Sequence, residues 1–185
     1  MKKSQKNRSK LFSKALALLL ALALTVCLLP AAALAEGNSV TITFMASSAG
    51  EIFTPRHTMT VQAGTAARYG YSNGAGVKSG DVTILDAIVQ AHADKYGSAF
   101  TRADAAGRET FLKVGSSGFI TVAFQTDASY STQLVNGGPL GSETADTAVL
   151  QNGDVVENLY ASEAAYGCDY YTYFALGGTQ INELT

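Results

Sequence analysis

The chain has 185 residues, 47% of them apolar, with 13 Lys and Arg against 15 Asp and Glu and a formal charge of −2. That balance is uneven along the chain: six of the bases fall within the first 14 residues, and every acid lies beyond residue 35. From residue 36 onward seven bases face 15 acids, a formal charge of −8, which argues against nucleic acid or an anionic membrane as a partner, since both require a basic footprint.

The first segment, MKKSQKNRSKLFSK, holds Lys2, Lys3, Lys6, Arg8, Lys10 and Lys14 and no acid, and the apolar run ALALLLALALTVCLLP follows it directly. Ala33-Leu34-Ala35 then supplies an A-x-A site. This order of basic region, apolar core and small residues is that of a secretory signal peptide over residues 1 to 35. Cleavage after Ala35 gives an exported form that begins at Glu36. The apolar run is shorter than the ~20 residues that span a bilayer. The expected location is therefore secreted or at the cell surface, with no membrane span once the leader is gone. Thr25 and Val26 stand before Cys27, where a lipoprotein site calls for small residues. Cys27 leaves with the leader, so Cys168 remains as a lone thiol that fits a small buried apolar residue better than a disulfide partner. Residues 36 to 185 suffice for one domain with its own core.

SVTITFM, residues 39 to 45, alternates apolar and hydroxyl side chains with period two and predicts a half-buried strand. A second strand is predicted at residues 57 to 61, closed by Gln62-Ala63-Gly64. YSNGAGVKSG, residues 71 to 80, is dense in turn residues and reads as a flexible connection. A helix then starts at Thr83. Thr83 followed three residues later by Asp86 is a capping box, in which the hydroxyl accepts from a first-turn amide and the carboxylate reaches back. Ile84, Leu85, Ile88, Val89, His92 and Tyr96 form one stripe at helical spacing, and Gly97 ends it. Asp86 is thus expected to serve the fold as a cap, at a worth of about 0.5 to 2 kcal/mol.

Residues 98 to 109 are polar and expected to be irregular. GFITVAF, residues 118 to 124, is apolar on both faces and is predicted as a central strand. Further short apolar runs at residues 133 to 135, 148 to 150 and 155 to 160 are punctuated by Asn136-Gly137 and Asn152-Gly153, both hairpin patterns. Strand, strand, one helix and then several strands make an α+β fold: a mixed sheet with one main helix packed on one face.

GDVTILDAIVQA, QLVNGG and VLQNGDVVENLY together resemble the transcobalamin-like C-terminal domain family, a β-grasp module also found in exported bacterial proteins. The family's helix motif falls on Thr83, Asp86, Ala87 and Ile88, its V-N-G hairpin on Val135, Asn136 and Gly137, and its following strand on Gly153, Asp154, Val155 and Val156. The likeness covers roughly residues 40 to 160, ahead of a Tyr-rich end at residues 160 to 185. It departs from the family at Ser131-Thr132-Gln133, where members often carry aromatics. The resemblance implies a β-grasp fold and a broad binding role. Because the module helps cover a cobalamin in vitamin carriers, it also implies cobalamin as a candidate ligand. The large helical domain that completes such a site has no counterpart in this sequence.

Residues that could carry chemistry are few. His57, His92 and Cys168 make up the whole stock of histidine and cysteine after the leader, and His92 falls on the packing stripe of the helix. Gly74, Gly76 and Gly80 approach a phosphate-loop pattern, but the last glycine is one residue late. The tail is richer: Tyr166, Tyr170, Tyr171 and Tyr173 crowd together near Tyr160 and Phe174, and tyrosine suits binding surfaces by combining rigid area with a polar tip. Tyr166, Tyr170, Tyr171 and Tyr173 are the candidate contacts with a ligand or partner, with Tyr166, beside Gly167, the most exposed by expectation. The sequence reads as a non-catalytic exported binding module for a surface ligand or protein. A corrinoid-binding accessory domain is the alternative, and an uncharacterised hydrolase a third. The chain closes on INELT with no apolar tail, as a piece of a longer surface protein would.

Overall fold

The structure is a computed structural model that describes residues 38–48 and 51–162, together with the backbone of two short strands at 174–176 and 179–181. The chain divides into two units, Met1–Glu36 and Gly37–Thr185, and all the described residues belong to the second. The predicted leader, including Cys27, lies outside them.

The fold is α+β. β1 (Ser39–Ser48) and β2 (Glu51–Gln62) form an antiparallel pair. After a single helical turn, α1 (Thr65–Arg68), the main helix α2 (Ile84–Tyr96) crosses the sheet, and two further turns follow, α3 (Ser98–Thr101) and α4 (Ala105–Arg108). β3 (Leu112–Val114), β4 (Ile120–Ala123) and β5 (Thr126–Asp127) make a small antiparallel sheet. β6 (Tyr130–Val135), β7 (Gly138–Pro139) and β8 (Val155–Ala161) join the first pair in a five-stranded sheet of order β2-β1-β8-β6-β7. Only β1 and β8 run parallel within it. That placement of the first and last strands side by side, with a helix on one face, is β-grasp-like. β9 (Phe174–Leu176) and β10 (Thr179–Ile181) pair with each other.

Period-two patterning decides which face of the sheet meets α2. On β1 Ile42, Phe44 and Ala46 are buried, opposite Met59, His57 and Thr54 of β2. Across the parallel pair, Phe44 meets Val156 and Ala46 meets Asn158. From the helix, Ile84, Leu85, Ile88, Val89 and His92 are all essentially inaccessible to solvent and close the core with these strand residues. Burying one such aliphatic side chain contributes ~1.5–3 kcal/mol.

The capping box is present. Thr83 Oγ1 accepts from the Asp86 amide at 3.2 Å and Asp86 Oδ2 accepts from the Thr83 amide at 2.9 Å. Asp86 does more than the sequence implies. Its Oδ1 accepts from the Ala66 amide at 2.7 Å and so ties α1 to the start of α2, and the side chain is fully buried.

Three expectations are corrected. The segment at 98–109 is not irregular but makes α3 and α4, the latter capped by Asp104, whose carboxylate accepts from Gly107. The strand at 118–124 is central only within the small sheet, and Phe119 is 63% exposed. It is short because Phe124 and Gln125 adopt φ of 52° and 65°, making a two-residue turn from β4 into β5. The run at residues 148 to 150 forms a single bridge, Thr83 with Val149, and Asn152-Gly153 is a turn rather than a hairpin. There the Thr41 amide donates to Asn152 Oδ1, which starts β8 beside β1 instead of pairing it back on the preceding run. Asn136-Gly137 does form the expected hairpin, with φ of 54° and 78°, between β6 and β7.

Candidate functional site

β6 is paired on one side along its whole length and on the other only in part. β8 pairs with every residue from Tyr130 to Val135, whereas β7 pairs only with Leu134 and Val135. Which backbone groups are left over follows from the alternation of an antiparallel ladder. The Asn136 amide donates to Val155 O of the β8 side at 2.8 Å, so Leu134 and Thr132 also turn their amides toward β8. Ser131 and Gln133 therefore direct N–H and C=O outward, beyond the end of β7.

A cleft of about 190 Å³ lies along this stretch. Ser131, Thr132 and Gln133 form one wall, Pro139 to Gly141 and Glu143 to Ala145 the other, and Gly118 with Phe119 the end. Pockets that enclose drug-sized ligands measure ~300–1,000 Å³, so this cleft suits a fragment of a larger ligand and does not enclose a corrinoid.

Its walls are fixed by close packing. Asp146 is buried, and its carboxylate accepts from Thr144 Oγ1 while its carbonyl accepts from the Gly74 amide at 2.9 Å. Gly118 passes directly over this carboxylate at φ 78°. A Cβ there would stand 2.1 Å from Asp146 Oδ1 and 2.7 Å from Thr144 Oγ1, so only glycine fits, on grounds of both space and φ. Phe119 is thereby held at the rim with its ring largely in solvent.

The core beside the cleft is polar and incompletely bonded. Gln133 of β6 lies directly opposite Asn158 of β8, and Ser131 lies opposite Tyr160, so these side chains share the core-facing side of the sheet. Among the described residues the buried atoms Gln133 Nε2, Asn158 Oδ1 and Tyr160 OH have no hydrogen-bond partner, although Asn158 Nδ2 donates to Met45 O at 3.2 Å. Burial pushes the Tyr160 hydroxyl upward from its ordinary pKa, so it stays a neutral donor. Unbonded buried polar atoms are uncommon and costly, which sets this corner apart from the rest of the core.

The histidines are otherwise engaged. His92 is wholly buried, and because its Nε2 faces the Phe124 amide at 2.9 Å it must accept there, leaving Nδ1 to donate to Ile88 O at 2.8 Å. The ring stacks on Phe124 with centroids 4.0 Å apart. Burial pushes its pKa down to about 4, so the imidazole is neutral. His57 Nδ1 lies 2.9 Å from Pro55 O, at the edge of the sheet. Among the described residues no three His, Cys, Asp or Glu side chains converge to hold a metal ion.

Nor does the glycine loop make a phosphate cradle. All of the first-turn amides of α2 have protein acceptors: Ile84 donates to Ala148 O at 3.1 Å, Leu85 to Ala145 O at 2.7 Å, Asp86 to Thr83 Oγ1 and Ala87 to Thr83 O at 3.3 Å. Gly76 and Gly80 serve turns of the connection with positive φ, and Gly74 packs against Asp146 and Thr147 instead.

Comparison with known proteins decides nothing further. No family model, curated protein or solved structure matches this chain. The candidate contacts Tyr166, Tyr170, Tyr171 and Tyr173 lie outside the described residues, as does Cys168. The cleft residues Phe119, Ser131, Gln133 and Glu143 were not candidates from sequence. Ser131-Thr132-Gln133 is the segment that forms one cleft wall. No described helix is long and apolar enough to cross a membrane.

Proposed function

We propose that this chain is a non-catalytic binding module, exported and acting outside the cell or at its surface, that holds part of a ligand or partner protein in the cleft beside β6. The observation that carries the reading is the coincidence of an exposed aromatic ring, Phe119, with a polar cleft lined by Gln133, a residue whose carboxamide nitrogen is buried without a hydrogen-bond partner among the described residues. Recognition sites combine apolar area with a few convergent polar groups in this way. The leader pattern and the likeness to the transcobalamin-like C-terminal family support export and binding. The structural engagement of His92 supports binding over hydrolysis.

The test is a fragment screen followed by amide and carboxamide NMR on the secreted protein. Fragments that bind should shift Phe119, Gln133 and Leu140 together. Gln133→Leu and Phe119→Ala should each weaken binding by about 1 kcal/mol or more, as central contacts of a small site do. Tyr166→Ala, run in parallel, assigns any contribution of the Tyr-rich tail. Shifts confined to residues far from the cleft would overturn the reading.

A further inference from the structure

The geometry points to an extended peptide as the occupant of the cleft, held as an added strand on the outer edge of β6; this rests on the binding reading above. Three features argue for a peptide backbone. The first is the ladder parity. Ser131 and Gln133 present N–H and C=O outward, and β7 ends at Pro139, so among the described residues their outer sides have no ladder partner. An extended chain is the ligand class whose own alternating donors and acceptors match such an edge, and this mode of recognition draws affinity from main-chain bonds. The second is that nothing on this stretch blocks pairing. Tyr130 to Gln133 carry no proline and no lysine, and the β6–β8 register is free of bulges. Natural edges normally use such features to prevent strand addition.

The third feature specifies the side chains. Glu143 is the one charged residue among those lining the cleft, so the complementary peptide carries a cation there. Phe119, exposed at the cleft's end, supplies apolar area for a neighbouring side chain. Phe119 and Glu143 line the same cleft, so a segment that carries both apolar and basic side chains can reach the two from one bound position. The stretch from Ser131 to Gln133 admits about three residues, roughly 10 Å at strand rise.

The discriminating experiment uses the amide that proline removes. Ser131→Pro deletes the outward N–H of β6 without breaking a bond to β8, and proline is tolerated at such positions of an edge strand. Ser131→Ala deletes the hydroxyl and keeps the amide. The probe is a blocked hexapeptide of alternating valine and lysine, titrated into the isotopically labelled protein, with a chitin trisaccharide as the comparison ligand. The expected result is that the peptide slows exchange of the Ser131 and Gln133 amides. Ser131→Pro then weakens binding by roughly tenfold or more, and by several-fold more than Ser131→Ala, which keeps the amide. Circular dichroism and unchanged shifts for Ala46 and Asn158 establish that Ser131→Pro remains folded; should it not, Gln133→Pro serves the same purpose.

Equal peptide binding by wild type and Ser131→Pro overturns the inference. So does binding of the trisaccharide at Phe119 and Gln133 without peptide protection, an outcome that leaves the cleft itself as a binding site. Protection of the Ser131 and Gln133 amides that rises with protein concentration in the absence of peptide assigns the edge to a second copy of the chain and also overturns it.

Discussion

Along β2 the outer edge of the sheet carries Pro55, two breaks in register against β1, and the Lys95 ammonium, which donates to the Phe53 carbonyl at 2.7 Å. Along β6 the opposite edge is covered by the two-residue strand β7 at Leu134 and Val135, and beyond these no strand pairs with it among the described residues. Both edges belong to one sheet and share one helix, so the difference is local. A proline with no amide, bulges and a lysine over a carbonyl are the means by which edge strands avoid partners. Their presence on β2 and absence from Tyr130–Gln133 turn an ordinary hazard into a located opening, beside which the polar cleft and Phe119 are found.

The comparison breaks most severely if the scaffold under both edges is weakened. Leu85→Ala removes a wholly buried side chain and should cost ~2–5 kcal/mol. Asp86→Ala loses the cap and also leaves the Ala66 amide buried without its acceptor, so roughly 2–5 kcal/mol is expected, above what capping alone contributes. Urea unfolding of both variants measures this, and the two edges should be lost in a single transition.

Acid should act next. The folded His92 pKa of about 4 lies below the ordinary value of 6.5, so the unfolded chain binds the extra proton in that interval. Stability from this group is complete above pH ~6.5 and falls as pH drops toward 4, by roughly 3 kcal/mol in all. Protonation would also set an N–H against the Phe124 amide that now donates to Nε2. Lys95, the cation near this ring, disfavours the charged form further, while Phe100, Tyr96 and Phe124 enclose it. His92→Gln should flatten the dependence of unfolding free energy on pH between 4 and 6.5, at some loss of stability throughout. An unchanged slope in that variant would assign the acid sensitivity to other groups.

A smaller and more local effect is expected of Gly118→Ala. With φ at 78° and Asp146 against the missing Cβ, the substitution should cost more than ~1 kcal/mol and displace Phe119. Ligand binding at the cleft should weaken while β2 and its contacts with α2 keep their chemical shifts.

Local patterning made most of the five-stranded sheet and its helix legible. β8 alternates cleanly and the first half of β1 alternates in sequence, and the capping box and Asn136-Gly137 are patterns whose mechanism is contained in a few consecutive residues. What was hidden depends on residues far apart. The turn that shortens β4 is built from Phe124 and Gln125, with no glycine or asparagine to announce it, and its left-handed backbone is held by His92 from the helix. The second role of Asp86 needs α1 folded beside it. β2 begins at Glu51 rather than at residue 57 because the bulges around Pro55 carry the strand through a residue that normally ends one. The cleft follows from where β7 stops, a matter of register that no short pattern of types records.

Amide hydrogen exchange along β6 tests the central claim most directly, since it reads the two sides of one strand separately. Thr132 and Leu134, bonded toward β8, should be protected to near the level of β8 itself, while Ser131 and Gln133 exchange much faster in the unliganded protein. Equal, strong protection of all four amides at low protein concentration would mean that the outer edge of β6 is covered, and would contradict the account.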